Sequence, residues 1–134
     1  MILGVDPGER RVGVAVADLE TSFARPLEVI DVSTTDPVAR LTELVAEQGA
    51  TLVVVGKPLS LRGAEERAVE DAAPFVAALR DALTVEVVEH DERLTTVIAE
   101  RSLRAGGAGR AARKAMRDAV AASVMLQGYL DGRR

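Results

Sequence analysis

Four carboxylates in this chain stand where a side-chain oxygen could hold a cation or a proton. Asp6 ends a short apolar run from Met1 and is followed by Pro7-Gly8, a turn signal. By the two-residue period of a strand it shares a face with Ile2 and Gly4. A carboxylate at the end of a central strand sits at the sheet's rim, where ligands bind. An aspartate that merely opens a turn fits the position equally well. Asp91 and Glu92 follow an expected strand, Val85 to Glu89, and precede Arg93-Leu94-Thr95-Thr96, which opens a helix. Acids placed there also serve as caps or dipole partners. Asp118 is the most informative of the four. Ala115, Asp118, Ala122, Met125 and Tyr129 fall on one stripe of a helix, and a charge in an apolar stripe is costly unless it is paired or bound to a cation. An ion pair with Arg117 would not follow from adjacency, because neighbouring residues on a helix do not face each other.

Carboxylates from two strand ends and one helix, brought together, suit a hard divalent cation. Mg²⁺ takes oxygen ligands and commonly uses one or two carboxylates plus phosphate oxygens. Paired ions can activate water and stabilise the leaving oxygen of a phosphodiester. The net charge is −4, yet Arg101, Arg104, Arg110, Arg113, Lys114 and Arg117 occupy one stretch that contains no acid. Local patches rather than the global sum decide where a polyanion binds, so this stretch is a candidate phosphate-holding surface. As a plainer alternative, it is a solvated helix face beside the Gly106-Gly107-Ala108-Gly109 loop.

Composition removes other chemistries. The chain has no cysteine, which excludes disulfides, a thiol nucleophile and a cysteine zinc site. Its one histidine, His90, cannot make a multi-histidine metal site, and next to Asp91 it reads as an ordinary packed residue. No run approaches the ~18 apolar residues that span a bilayer, and the Met1–Val5 stretch is too short for a signal peptide, so a cytoplasmic location is expected.

The elements that must position these groups alternate in type. Three strands are expected first, over Met1–Asp6, Arg11–Asp18 and Pro26–Val32. In the second, Val12, Val14 and Val16 face one way and Gly13, Ala15 and Ala17 the other. Asp36-Pro37 starts a helix with a capping side chain and a proline at its first position, and Gly49 supplies the stop. The continuous apolar run from Thr51 to Gly56 reads as a strand covered on both faces. Val69, Ala72, Val76, Leu79 and Leu83 predict a second helix, with Pro74 kinking it or marking its true start. A fifth strand over Val85–Glu89, a helix over Thr96–Leu103 and a long last helix over Arg113–Leu130 complete the order. In that last helix Ala119, Ala121 and Ala122 would let it approach the sheet closely. The 134 residues are expected to form one α/β domain, a mixed five-stranded sheet with three antiparallel strands, then parallel βα units, and helices on its faces.

Four motifs together resemble the YqgF/RuvX family. They are Val5-Asp6-Pro7-Gly8-Glu9-Arg10-Arg11-Val12-Gly13-Val14-Ala15, Gly56-Lys57-Pro58-Leu59-Ser60-Leu61-Arg62-Gly63, Asp91-Glu92-Arg93-Leu94-Thr95-Thr96, and the segment from Arg113 through Asp118 to Leu130. Order, spacing and length agree over essentially the whole chain, and the third motif is the most specific. Two departures are Lys57, where an apolar residue is expected between Gly56 and Pro58, and Met116-Arg117 ahead of Asp118, where a more apolar pair is usual. Neither removes a carboxylate.

The resemblance implies an RNase H-like fold in which Asp6, Glu92 and Asp118 are catalytic and hold Mg²⁺ or Mn²⁺, as two ions, with Asp91 as a further candidate ligand. It implies a nuclease maturing the 5′ end of pre-16S rRNA in ribosome biogenesis, or a resolvase acting on Holliday junctions. Lys57 and Arg10 or Arg11 would reach the scissile phosphate, although Arg10 and Arg11 serve equally as turn residues. Arg110 and Arg113 would hold substrate, and Lys114 lies beside substrate or metal by family position. The expected partner is nucleic acid, structured RNA or branched DNA, and not a membrane. No apolar stripe is left over from the core, so a monomer or weak homodimer is expected. A non-catalytic RNA-binding assembly factor is the rival from another class. It would bind RNA without turnover, and an intact carboxylate set argues against it. Asp6-Pro7-Gly8 also resembles the phosphate loop of actin-like ATPases, but a second phosphate loop and a second domain are missing.

Overall fold

A computed structural model describes residues 1–57, 63–91 and 110–133, with side chains over 1–57, 73–90 and 116–133. Strands β1 (Ile2–Pro7), β2 (Arg11–Ala17) and β3 (Ala24–Asp31) form an antiparallel meander. β4 (Leu52–Lys57) and β5 (Glu86–Asp91) add in parallel on the other side of β1, giving the order β3-β2-β1-β4-β5. β1 is therefore central, and its C-terminal end lies at the same sheet edge as the ends of β4 and β5. The described helices are α1 (Pro37–Gln48), α2 (Gly63–Ala82) and α3 (Arg110–Asp131). This is the mixed sheet expected from the hydrophobic pattern, with strand ends shifted by one or two residues and the last helix starting three residues earlier. The helix expected over 96–103 lies outside the described residues.

The period of two divides the core between the two faces. Leu3, Val5, Val12, Val14, Val16, Val53, Val55 and Val87 pack on one face with Leu41 and Leu44 of α1 and Val76 and Leu79 of α2. Ile2, Ala15, Ala17 and Val54 meet Ala122, Met125 and Leu126 of α3 on the other. Each fully buried Leu or Met in these clusters contributes roughly 1.5–3 kcal/mol relative to exposure. Small residues dominate the α3 side, so that helix lies close to the sheet. A Cβ added to Gly4 would come 2.8 Å from Leu126 Cβ.

Local signals account for the helix ends. Asp36 caps α1 by accepting a hydrogen bond from the Val38 amide at 3.1 Å, and Gly49 ends it in the left-handed region at φ 63°. Arg40 ties α1 to β3, donating to both carboxylate oxygens of Glu28 at 2.8 and 2.9 Å and to Glu43 at 3.0 Å. The hydrogen bonds to Glu28 hold its guanidinium well above the ordinary arginine range. Pro74 does not start α2, which runs through it. Ala73 and Pro74 are exposed, so the proline lies on the water side of the helix, away from its packed face. β3 is an edge strand, where Pro26 removes no ladder hydrogen bond from the interior, and a bulge follows it opposite Val14 and Ala15. No described helix is long and apolar enough to cross a membrane.

Candidate active site

Asp6 pairs with Gly13 across the β1–β2 ladder, which puts the two Cα atoms about 4.5–5.5 Å apart. Gly13 in turn carries α3. A Cβ built on it would stand 1.9 Å from the carbonyl oxygen of Asp118 and 2.3 Å from its carbonyl carbon, a space no other residue type can share. The backbone of Asp118 therefore rests directly on the strand position facing Asp6. Two acidic residues distant in sequence are thus placed against one glycine, on the α3 face of the sheet. At the far end of α3, Gln127 accepts from the Ala24 amide and donates to the Ser22 carbonyl, both at 2.9 Å. These bonds fix the helix along its length.

Arg11 lies two residues before Gly13 on the same face of β2. Its Nε stands 3.8 Å from Asp118 Oδ2, with the two side chains 45% and 35% exposed. Asp118 is thus less buried than its place in the helical stripe suggests. It stands where the stripe leaves the core, so the cost of its charge is moderate, and exposed pairs of this kind are worth at most about 1 kcal/mol. Gly8, Glu9, Arg10, Arg11, Arg117 and Asp118 line an open hollow of about 240 Å³ at this rim. Three arginines against two acids make it a basic cup beside the carboxylates.

Of the residues singled out in the sequence, Asp6, Asp118, Arg10 and Arg11 come together here. Lys57 is exposed at the end of β4, in register with Asp91 on β5, at the same sheet edge. The side chain of Asp91 lies outside the described residues, as does Glu92. Arg110, Arg113 and Lys114 occupy the first turns of α3, where only the backbone is described. Among the described residues no three acidic or histidine side chains form a metal-sized cluster. Asp6 and Asp118 nonetheless fit a hard divalent ion in kind, as oxygen donors on two rigid elements. Arg117 is an addition to the expected set. It belongs to the basic stretch, and it lines the hollow. His90 packs its ring edge-on against Tyr129 at 5.6 Å, a structural role.

This meander-then-parallel sheet with helices on its faces is an RNase H-like fold, shared with solved resolvases. Thermus thermophilus RuvC bound to a Holliday junction superposes with a TM-score of 0.60 at 24% identity, over 98% of this chain and 94% of that one. The fowlpox virus resolvase with its junction superposes at 0.54 with 9% identity, over 98% and 97%. The chain belongs to the RuvX family, whose model, described as a Holliday junction resolvase, matches residues 1–132. Among relatives, a protein of Chloroflexus aggregans named "Putative pre-16S rRNA nuclease" is 46% identical, over 99% of this chain and 94% of its own length. One of the same name from Clavibacter sepedonicus is 40% identical over 98% and 83%.

Proposed function

We propose that this chain is a divalent-metal nuclease that processes the 5′ end of pre-16S rRNA, with residues 1–134 acting as one domain. The observation that carries the reading is the meeting of Asp6 and Asp118 over Gly13 beside an arginine-lined cup. Relatives at 40–46% identity are named as pre-16S rRNA nucleases, which supports the substrate class. Asp6, Asp118 and Glu92 would hold Mg²⁺ or Mn²⁺, and Asp91 is a further candidate. When bound, such ions activate water and neutralise charge on the leaving oxygen. Arg10, Arg11 and Arg117 would hold the scissile phosphate, Arg11 from its place beside Asp118. Lys57 holds the strand on the β4 side, and Arg110, Arg113 and Lys114 extend the basic track along α3.

The second reading is a resolvase acting on branched DNA, favoured by the family's description and by the junction-bound structural relatives. Labelled pre-16S fragments and four-way DNA junctions, incubated in Mg²⁺, Mn²⁺ and chelator, separate the two. RNA cleavage that needs metal supports the first reading and junction cleavage alone the second. RNA binding with no turnover in any metal would overturn both in favour of an assembly factor.

The basic track makes its own prediction. Replacing Arg110, Arg113 and Lys114 with alanine should weaken RNA binding and lower the log–log salt slope by about 0.7 per lost contact on single strands. Anisotropy titrations across a salt series measure this. An unchanged slope would leave that stretch a solvated face.

A further inference from the structure

Aromatic side chains are few in this chain, and the core does not use all of them. Phe75 packs against one face of the sheet and Tyr129 against the other, whereas Phe23 is 73% exposed. It ends the turn between β2 and β3, which also carries Leu19 at 58% exposure. These are the two most exposed large apolar side chains among the described residues. The turn leaves the sheet at the edge opposite the catalytic rim. β2 runs from Arg11 to Ala17, so the turn lies roughly 20 Å from the arginine-lined cup.

Hydrogen bonds hold this turn in one shape. Ser22 takes a left-handed φ of 58°, a conformation that is costly for a residue with a side chain. Gln127 of α3 fixes it there, donating to the Ser22 carbonyl and accepting from the Ala24 amide. Inside the turn the Ser22 amide donates to the Asp18 carbonyl at 2.9 Å, and the Glu20 amide to Asp18 Oδ1 at 2.8 Å. Little ordering is left for a partner to impose, which favours binding.

Charge decides what covers the exposed pair. An exposed aromatic ring stacks on unpaired bases where its surroundings are basic. Here Asp18 and Glu20 share the turn, residues 18–23 hold no Lys or Arg, and Asp131 accepts from the same Gln127. Arg25 is the one nearby base in sequence. Such a surface disfavours phosphates and favours a cationic partner with an apolar anchor.

We infer that the β2–β3 turn docks a basic protein carried on the RNA substrate, with Phe23 and Leu19 as apolar anchors and Asp18 and Glu20 as the charged frame. A ribosomal RNA precursor folds together with cationic proteins that neutralise its phosphates. The catalytic rim holds RNA while the turn holds a protein bound to that RNA, so each contact raises the effective concentration for the other. The inference deepens the pre-16S reading and rests on it for where the partner is met, but its test does not require cleavage.

The test is binding of the labelled full chain, in chelator, to purified small-subunit precursor particles and to the RNA extracted from them. The parent is expected to bind the particles more tightly than the bare RNA. Phe23→Ser should weaken particle binding about 30-fold, as loss of a hot-spot aromatic does, and leave affinity for bare RNA unchanged. Leu19→Ser should act in the same direction, and Glu20→Lys should weaken particle binding by setting like charges together. Positions 19, 20 and 23 are all exposed, so these variants should melt with the parent. Benzoylphenylalanine placed at position 23 should cross-link, on illumination, to a basic protein of the particle. Particle binding untouched by Phe23→Ser, or a loss shared equally with bare RNA, overturns the docking point. So does tighter particle binding by Glu20→Lys, or a cross-link to RNA or to a second copy of this chain. Metal-dependent cleavage is scored separately, so failure of the nuclease reading shows as cleavage absent with Phe23-dependent particle binding intact.

Discussion

Gly13→Ala should melt roughly 10 °C below the parent and cleave at least ~100-fold more slowly. The added Cβ would fall 1.9 Å from the Asp118 carbonyl oxygen, and the obstacle is backbone on both sides, with no flexible side chain to yield. Overpacking a core costs about 1–3 kcal/mol when side chains can adjust. Here α3 itself must lift, so the upper end of that range applies. The shift displaces Asp118 from the strand that bears Asp6, and ~1 Å of misplacement at a reacting centre can cost a hundredfold. Gly49→Ala is the control. Nothing lies within 4 Å of a Cβ there, and its left-handed φ of 63° costs only about 1–2 kcal/mol. It should lower the melting temperature and leave cleavage per folded molecule intact. Equal activity loss in both variants would mean that stability alone, not seating of Asp118, explains the Gly13 effect.

Asp6→Asn, Asp118→Asn and Glu92→Gln should each reduce cleavage by more than about 100-fold, since outer partners of metal ligands alone cost 10–100-fold. Combining them should cost little more than any one, because they serve one cluster. Single-turnover cleavage of a labelled substrate measures both points. Additive losses would assign the three acids to separate tasks. Normal activity in Asp118→Asn would remove α3 from the site.

The sheet was legible because its physics is local. Alternation marked β2 and both its faces, a continuous apolar run marked the doubly covered β4, and Asp36-Pro37 and Gly49 bounded α1 by their side-chain and backbone chemistry. Ala119 and Ala122 announced a helix lying close to the sheet, and Gly4 and Gly13 are the surfaces it meets. Long-range pairings were not legible. The approach of Arg11 to Asp118 depends on α3 crossing β2 at Gly13, which no spacing within either segment encodes. The same crossing draws Arg117 into the hollow and leaves Asp118 a third exposed, where the helical stripe alone suggested burial. That α2 continues N-terminal to Pro74 is likewise not encoded by the proline itself, since the exposed side of a helix tolerates a missing amide that its buried side would not.

Thermal melting with and without Mg²⁺ tests most directly whether Asp118 and Asp6 share a cation. In chelator the parent and Asp118→Asn should melt close together, because relief of repulsion between the two acids is offset by loss of the Arg11 pair. Ligand at ~100 times its dissociation constant stabilises the folded state by ~2.7 kcal/mol. For a chain of this size that is a rise of about 5–10 °C in the parent, and Asp118→Asn should show little of it. An equal rise in both proteins would contradict the account, because the cation would then bind without Asp118.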